Sequence, residues 1–216
     1  MKSLKRPFSD SGTLSTFAPF FFVGALLLAW EAAVSLLSIP RYLIPAPTLI
    51  ASTIVERFDS LVIDASVTLT EAVLGFAIGT SAAFLLGALF VRSRLIERSL
   101  SPLFVALQAV PLIAISPLLI IWFGNGLASK VVMAAIACFF PMAINTAAGL
   151  KSVSQESLAL MQMLSATETQ IFWKLRLPSA LPYVFSGLKI SATLSVIGAV
   201  VAELAGATRG IGFQVL

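Results

Sequence analysis

The chain has 216 residues, 58% hydrophobic and 11% charged, with a formal net charge of +4, no histidine and one cysteine. Soluble domains carry roughly 25% charged residues, so the composition implies an all-α integral membrane protein. The missing histidine excludes serine–histidine and cysteine–histidine catalysis and imidazole metal sites, while the lone Cys138 excludes an intrachain disulfide framework and a cysteine-based zinc site.

Residues 1–13 are polar and basic, with Lys2, Lys5 and Arg6, and are too polar for a span. The first apolar run, 16–37, is too long for a signal peptide and lacks a small-residue cleavage site, so it reads as span one. A connector at 39–64 holds Pro40, Pro45 and Pro47 and predicts a short helix near 49–58. Span two, 66–91, is rich in small residues (Gly75, Gly79, Ser81, Gly87), which let membrane helices approach closely. Arg92, Arg94 and Arg98 form a compact basic loop before span three at 101–123, which contains Pro102, Pro111 and Pro117. Interior prolines are tolerated when neighbours re-satisfy the freed carbonyls. A kinked or broken helix lining a path is one reading of them, a structural kink the other. Gly124-Asn125-Gly126 is a tight turn, and span four runs over 131–150 with Pro141 and Asn145 inside.

The interval 154–182 is neither a span nor a short turn. Its first half, 154–167, reads as an amphipathic helix: at about 100° per residue, Leu160, Met161, Met163 and Leu164 share one arc with Leu158 at its flank. Ser154 is placed to cap it and Glu156 suits the positive end of the helix dipole. Pro178 and Pro182 predict a break before span five at 181–205, after which 208–212 is a loop.

With the N-terminus inside, nine basic residues face the cytoplasm (Lys2, Lys5, Arg6, Arg92, Arg94, Arg98, Lys151, Lys174, Arg176). Four face outward (Arg41, Arg57, Lys130, Arg209), so the count favours this orientation and puts 154–182 in the cytoplasm. The basic residues are scattered rather than clustered, which argues against nucleic acid as a partner. The polar face of 154–167 carries no Lys or Arg, so docking into a partner's groove explains its apolar face better than lying on lipid headgroups. The flexible Met161 and Met163 suit an irregular groove.

Ionisable residues inside spans are costly. Glu71, Lys189 and Glu203 read first as interfacial; Glu31 sits deeper in span one beside Trp30, which suggests an interface anchor. Their spacing forms no proton relay. Asn145 reads as glue between helices. Glu71, Glu203, Pro111, Pro117 and Asn145 are the candidates for a pathway.

The run LSATETQIFWKLRLPSALPYVFSGLKI resembles the cytoplasmic loop signature of binding-protein-dependent ABC importer permeases of the type I fold, in the nitrate/sulfonate/taurine branch that includes pyrimidine-precursor and riboflavin importers. IPAPTLI (44–50), SVTLTEAVLGFAIG (66–79), AVPLIAISPLLIIWFGNG (109–126), FFPMAINTAAGLKSV (139–153) and VVAELAGATRGIGF (200–213) carry the same resemblance. It implies a type I transmembrane core over 61–216, with five spans predicted here and a usual sixth falling after Leu216, preceded by a tail, first span and connector over 1–60. It also implies that Leu158, Leu160, Met161, Met163, Leu164, Ser165, Ala166, Trp173, Leu177 and Pro178 couple to a groove of a cytoplasmic ABC ATPase dimer, which binds ATP-Mg.

Two places depart from the family pattern. The family's Glu-Ala-Ala triplet aligns with Ala159, Leu160 and Met161, and its glycine with Ser165. The further implied partners are an extracytoplasmic solute-binding protein and a second permease copy in the membrane lipid, with no cofactor on this chain. The chain lacks a GxxxxGK[ST] pattern, as expected if the ATPase is a separate protein. The apolar lining without an arginine cluster tilts toward a neutral or aromatic solute such as a pyrimidine precursor, over sulfonate, taurine or nitrate. The other classes are an ion-coupled secondary carrier and a truncated, non-transporting membrane fragment.

Overall fold

The computed structural model describes residues 12–215, apart from the side chains of residues 12–16, 94, 101 and 105. Lys2, Lys5, Arg6 and Leu216 lie outside the described residues. The chain divides into two compact units, Met1–Ser60 and Leu61–Leu216.

The first unit holds α1 (Gly12–Leu36) and α2 (Pro47–Glu56). In α1, Phe20, Phe21, Phe22 and Leu28 are all exposed, the pattern of a helix whose surround is hydrocarbon. Pro47 opens α2 two residues earlier than the composition suggested, because the first helical position needs no N–H and favours proline's fixed φ. Glu31 accepts from the Thr48 backbone N–H at 3.0 Å and from its hydroxyl at 2.8 Å, so this intramembrane carboxylate caps the start of α2.

The second unit is built around α6. Its helices are α3 (Phe58–Arg92), α4 (Arg94–Gln108), α5 (Leu112–Phe123), α6 (Leu127–Lys151), α7 (Gln155–Met163), α8 (Glu168–Ile171), α9 (Leu177–Leu204) and α10 (Ile211–Gln214), with a π-helical turn at Phe172–Arg176 joining α8 to α9. Among the described residues, four helical stretches are long and apolar enough to cross a membrane, Phe17–Leu36, Phe58–Arg92, Leu127–Lys151 and Glu168–Leu204; the bent pair Leu95–Gln108 and Leu112–Phe123 makes up to five.

Small residues let α3 and α9 both close on α6, where Ala72, Ala134 and Ala199 of the three helices form one cluster. A side chain at Gly75 would lie 2.8 Å from the Val131 carbonyl, and one at Gly79 2.9 Å from the Ala135 Cα, so backbone meets backbone there. Ser81 is exposed and lies off this face. Between α6 and α9, the Cys138 thiol donates to the Ser191 carbonyl at 3.2 Å and the Ser191 hydroxyl donates to the Cys138 carbonyl at 3.0 Å. Where water is absent such reciprocal pairs hold two helices in register. Phe90 on α3 and Phe139 and Phe140 on α6 gather about Phe104 of α4, at centroid separations of 5.3 to 5.6 Å.

Three expectations are corrected. The basic residues 92–98 form no loop: Ser93 alone separates α3 from α4, and its hydroxyl caps α4 by accepting from the Ile96 N–H. Span three does not begin at 101: α4 starts at Arg94, and of the two readings of the prolines the broken helix holds, with α4 and α5 meeting at 101°. Ala109 and Val110 bond three residues back, and Pro111, with no N–H to offer, ends the ladder before α5 restarts. The third correction concerns the break after α7. It falls at residues 164–167, not at the prolines, and from Glu168 the chain is helical through to Leu204. Leu177 N–H bonds five residues back to the Phe172 carbonyl, and this widened turn accommodates the ring of Pro178 in the first turn of α9.

Candidate functional site

The end of the second unit that carries α7 is assembled from local signals. The Ser154 hydroxyl accepts from the Ser157 N–H at 3.2 Å and Glu156 stands in the first turn, so α7 begins where its sequence dictates. It ends at Met163 rather than continuing to 167, in a Schellman turn: Ser165 N–H bonds to Gln162 C=O at 2.9 Å and Ala166 N–H to Met161 C=O at 3.0 Å. Ser165 holds φ at 57°, the left-handed conformation that glycine adopts without penalty. Thr167 and Gln170 then form a reciprocal capping box that starts α8.

The structure divides the predicted apolar arc. Leu158 and Met161 are half-buried against the chain, whereas Leu160, Met163 and Leu164 are exposed, Met163 to 81%. Trp173 in the π turn is 62% exposed and stacks edge-on against Phe172, with 5.5 Å between ring centroids. Ala166 and Leu177 are half-buried and Pro178 is exposed. Behind them the Arg176 guanidinium donates to the Leu150 carbonyl at 3.1 Å and Lys151 pairs with Glu97, which together fasten the end of α6 to the flanking helices.

The opposite end of the unit holds a buried polar network that sequence spacing did not reveal. Glu71 is 2% exposed and Glu203 0%; both point inward, and each lies close enough to act on the other. Glu203 accepts from the Thr68 hydroxyl at 2.6 Å and from the Gly212 N–H at 2.6 Å. Asp64 accepts from the Gly210 N–H at 3.1 Å and from the Gln214 amide, and Thr68 accepts from the Ile211 N–H at 2.9 Å. Three successive backbone donors at the start of α10, from its N-cap Gly210 to Gly212, are thus each held by a different side chain. Gly210, with φ at 113°, has its Cα against the Glu203 carboxylate, where no Cβ fits. Lys130, 4% exposed, donates to Asn125 C=O and Oδ1 at 3.0 Å each and to Gly126 C=O at 3.2 Å, and lies close enough to act on both glutamates. Sequence reading counted it only as an outward charge.

Of the other pathway candidates, Pro111 and Pro117 are exposed along the bent pair, and Lys189 is exposed on α9. Asn145 is corrected: its Nδ2 donates to the Pro141 carbonyl at 2.8 Å within α6, so its hydrogen bond is not interhelical, though its Cβ packs against Gly187 of α9. Glu71 Oε2, Ser116 Oγ and Thr146 Oγ1 are buried without hydrogen-bond partners. No cluster of acidic or cysteine side chains among the described residues is arranged to hold a metal.

Residues 75–216 match the family of binding-protein-dependent transport system inner membrane components. The chain is 36% identical to a probable ABC transporter permease protein of Haemophilus influenzae, covering 92% of this chain and 81% of that one. It is 36% identical to the formylaminopyrimidine transport permease protein ThiX of Halalkalibacterium halodurans, over 90% of this chain and 78% of the relative. Against the riboflavin transport system permease protein RibX of Chloroflexus aurantiacus it is 34% identical, over 87% and 70%. All three relatives are named as permease proteins of transport systems, the first as that of an ABC transporter. The chain is a multi-pass inner-membrane protein and belongs to the permease components of binding-protein-dependent ABC importers.

Proposed function

We propose that this chain forms the translocation path of an ATP-driven importer, for a small solute delivered by an extracytoplasmic binding protein. The observation that carries the reading is the exposed apolar group Leu160, Met163 and Leu164 on the short segment between two candidate spans, with Trp173 exposed at the start of the second. Such a patch at a water-exposed loop is costly unless a partner covers it. The partner is a cytoplasmic ATPase dimer that binds ATP-Mg; the N-terminus lies on the same side, and a second permease copy completes the path. Closure of the ATPases on nucleotide pulls α7 and the π turn, and α9, which continues from that turn, transmits the movement to α6 and to the polar network at the far end. Leu158, Met161, Ser165, Ala166, Leu177 and Pro178 shape the docking segment rather than contact the groove directly.

The solute classes suggested by relatives are a pyrimidine or thiamine precursor and riboflavin, with sulfonate, taurine and nitrate as anionic alternatives. Reconstitution tests the reading. Proteoliposomes containing this chain, its ATPase and its binding protein take up solute only with ATP inside; uptake that persists with the ATPase omitted would sink it.

A further inference from the structure

Where α4 ends and α5 begins, the bend opens a cavity of about 420 Å³ that α6 and α9 close from behind. This lies within the range of roughly 300–1,000 Å³ typical of small-molecule sites. Its walls are apolar, with Leu112, Ile136, Phe140 and Leu194 among them, and no ionisable side chain among the described residues lines it. Two carboxamides supply its polarity. Gln108, the last residue of α4, is exposed and has no hydrogen-bond partner among the described residues. Asn145 spends one N–H on the Pro141 carbonyl, which fixes the group and leaves Oδ1 as a free acceptor.

The depth is that of the membrane interior. Ile136 stands nine residues from the start of α6, about 14 Å at 1.5 Å per residue, and Asn145 six residues from its end, about 9 Å. An ion at this depth would lose its hydration with nothing of opposite charge to meet it. An uncharged solute with donor and acceptor groups on a flat ring loses little, because the two amides replace water at its edge and Phe140 offers an aromatic surface.

We infer that this cavity is a transit subsite for an uncharged planar heterocycle of the aminopyrimidine kind, with Gln108 and Asn145 as its specificity-determining contacts. The inference rests on the importer reading and goes further by naming the site and excluding anions from it. The Pro111 break acquires a role by the same reasoning: a straight helix would carry Gln108 and Leu112 past each other and leave no chamber.

Thiol labelling in native membranes holding the whole transporter tests it. A Leu194→Cys variant is treated with N-ethylmaleimide and, separately, with anionic sulfonatoethyl methanethiosulfonate, each rate normalised to a free thiol. The wild-type chain, whose Cys138 is fully buried, is the blank. The neutral reagent should react at least tenfold faster, formylaminopyrimidine should slow it at least fivefold, and methanesulfonate should not. Adding Gln108→Leu or Asn145→Leu should remove that protection; Gln108 is exposed and unbonded, so its replacement leaves no buried partner stranded. Equal entry of the anionic reagent, absence of protection by the pyrimidine, or protection unchanged in both leucine variants overturns the inference. ATP-driven uptake by the same preparation separates the two readings. If uptake is ATP-driven but protection fails, only the subsite falls; if uptake ignores ATP, the importer reading falls and takes the transit role with it.

Discussion

At the scale of single residues, the serine at 165 is the clearest case of a position whose conformation outranks its identity. The Schellman turn requires a left-handed residue there, and a side chain in that conformation costs roughly 1–2 kcal/mol. Ser165→Gly should therefore raise the melting temperature of the detergent-solubilised chain, and Ser165→Val should lower it; a thermal scan by tryptophan fluorescence reads both. Glu203 makes the opposite point, since its worth lies in two partners. Glu203→Ala leaves the Gly212 N–H buried and unpaired, at about 1–3 kcal/mol, while the Thr68 hydroxyl falls back on the Asp64 carbonyl. The expected result is a marked loss of thermal stability, with protease sensitivity appearing first in the 206–212 turn. Unchanged cleavage there would contradict the assigned bonds.

At the scale of elements, helix contacts in this chain are made by absence of side chain. Gly75 and Gly79 bring α3 onto the backbone of α6, and a larger residue at either must force the pair apart. Gly79→Val should destabilise by about 1–3 kcal/mol, the usual range for overpacking, seen as reduced folded yield and earlier melting. The proposed docking segment should respond to charge instead of size. Leu164 is exposed and makes no buried contact, so Leu164→Glu should abolish co-purification of the ATPase while membrane insertion and melting stay as in wild type. Retention of the ATPase would show that this face is not the one that docks.

At the scale of the whole molecule, α6 ties the two ends of the second unit together. Its last turn is capped by Arg176 and paired through Lys151, near the docking segment; its first turn carries Lys130 beside Glu71 and Glu203. α9 runs the same distance in one piece from the π turn to Glu203. A displacement applied at α7 thus has two stiff routes to the far network. Pro111→Ala should reduce transport without loss of ATPase association, because it acts on the bent pair between those ends, and the uptake rate measured against co-purified ATPase checks this.

Much of this was legible in the residues alone. Apolar runs, small-residue faces, the Ser154 cap and the family signature each depend on neighbours a few positions away, and local chemistry decides them wherever the chain sits. Four of the membrane-length helices, the short helix at 155–163 and the permease family follow from such signals. The tertiary structure decided the rest, because the deciding partners are distant in sequence. Asp64 and Thr68 meet the Gly210–Gly212 segment some 140 residues later, and Glu71 lies beside Glu203, so no spacing rule could show that these acids are buried together. Gln108 joins Asn145 only because Pro111 bends the chain through 101°. A proline announces that a helix will be interrupted; the direction it then takes depends on what packs against it.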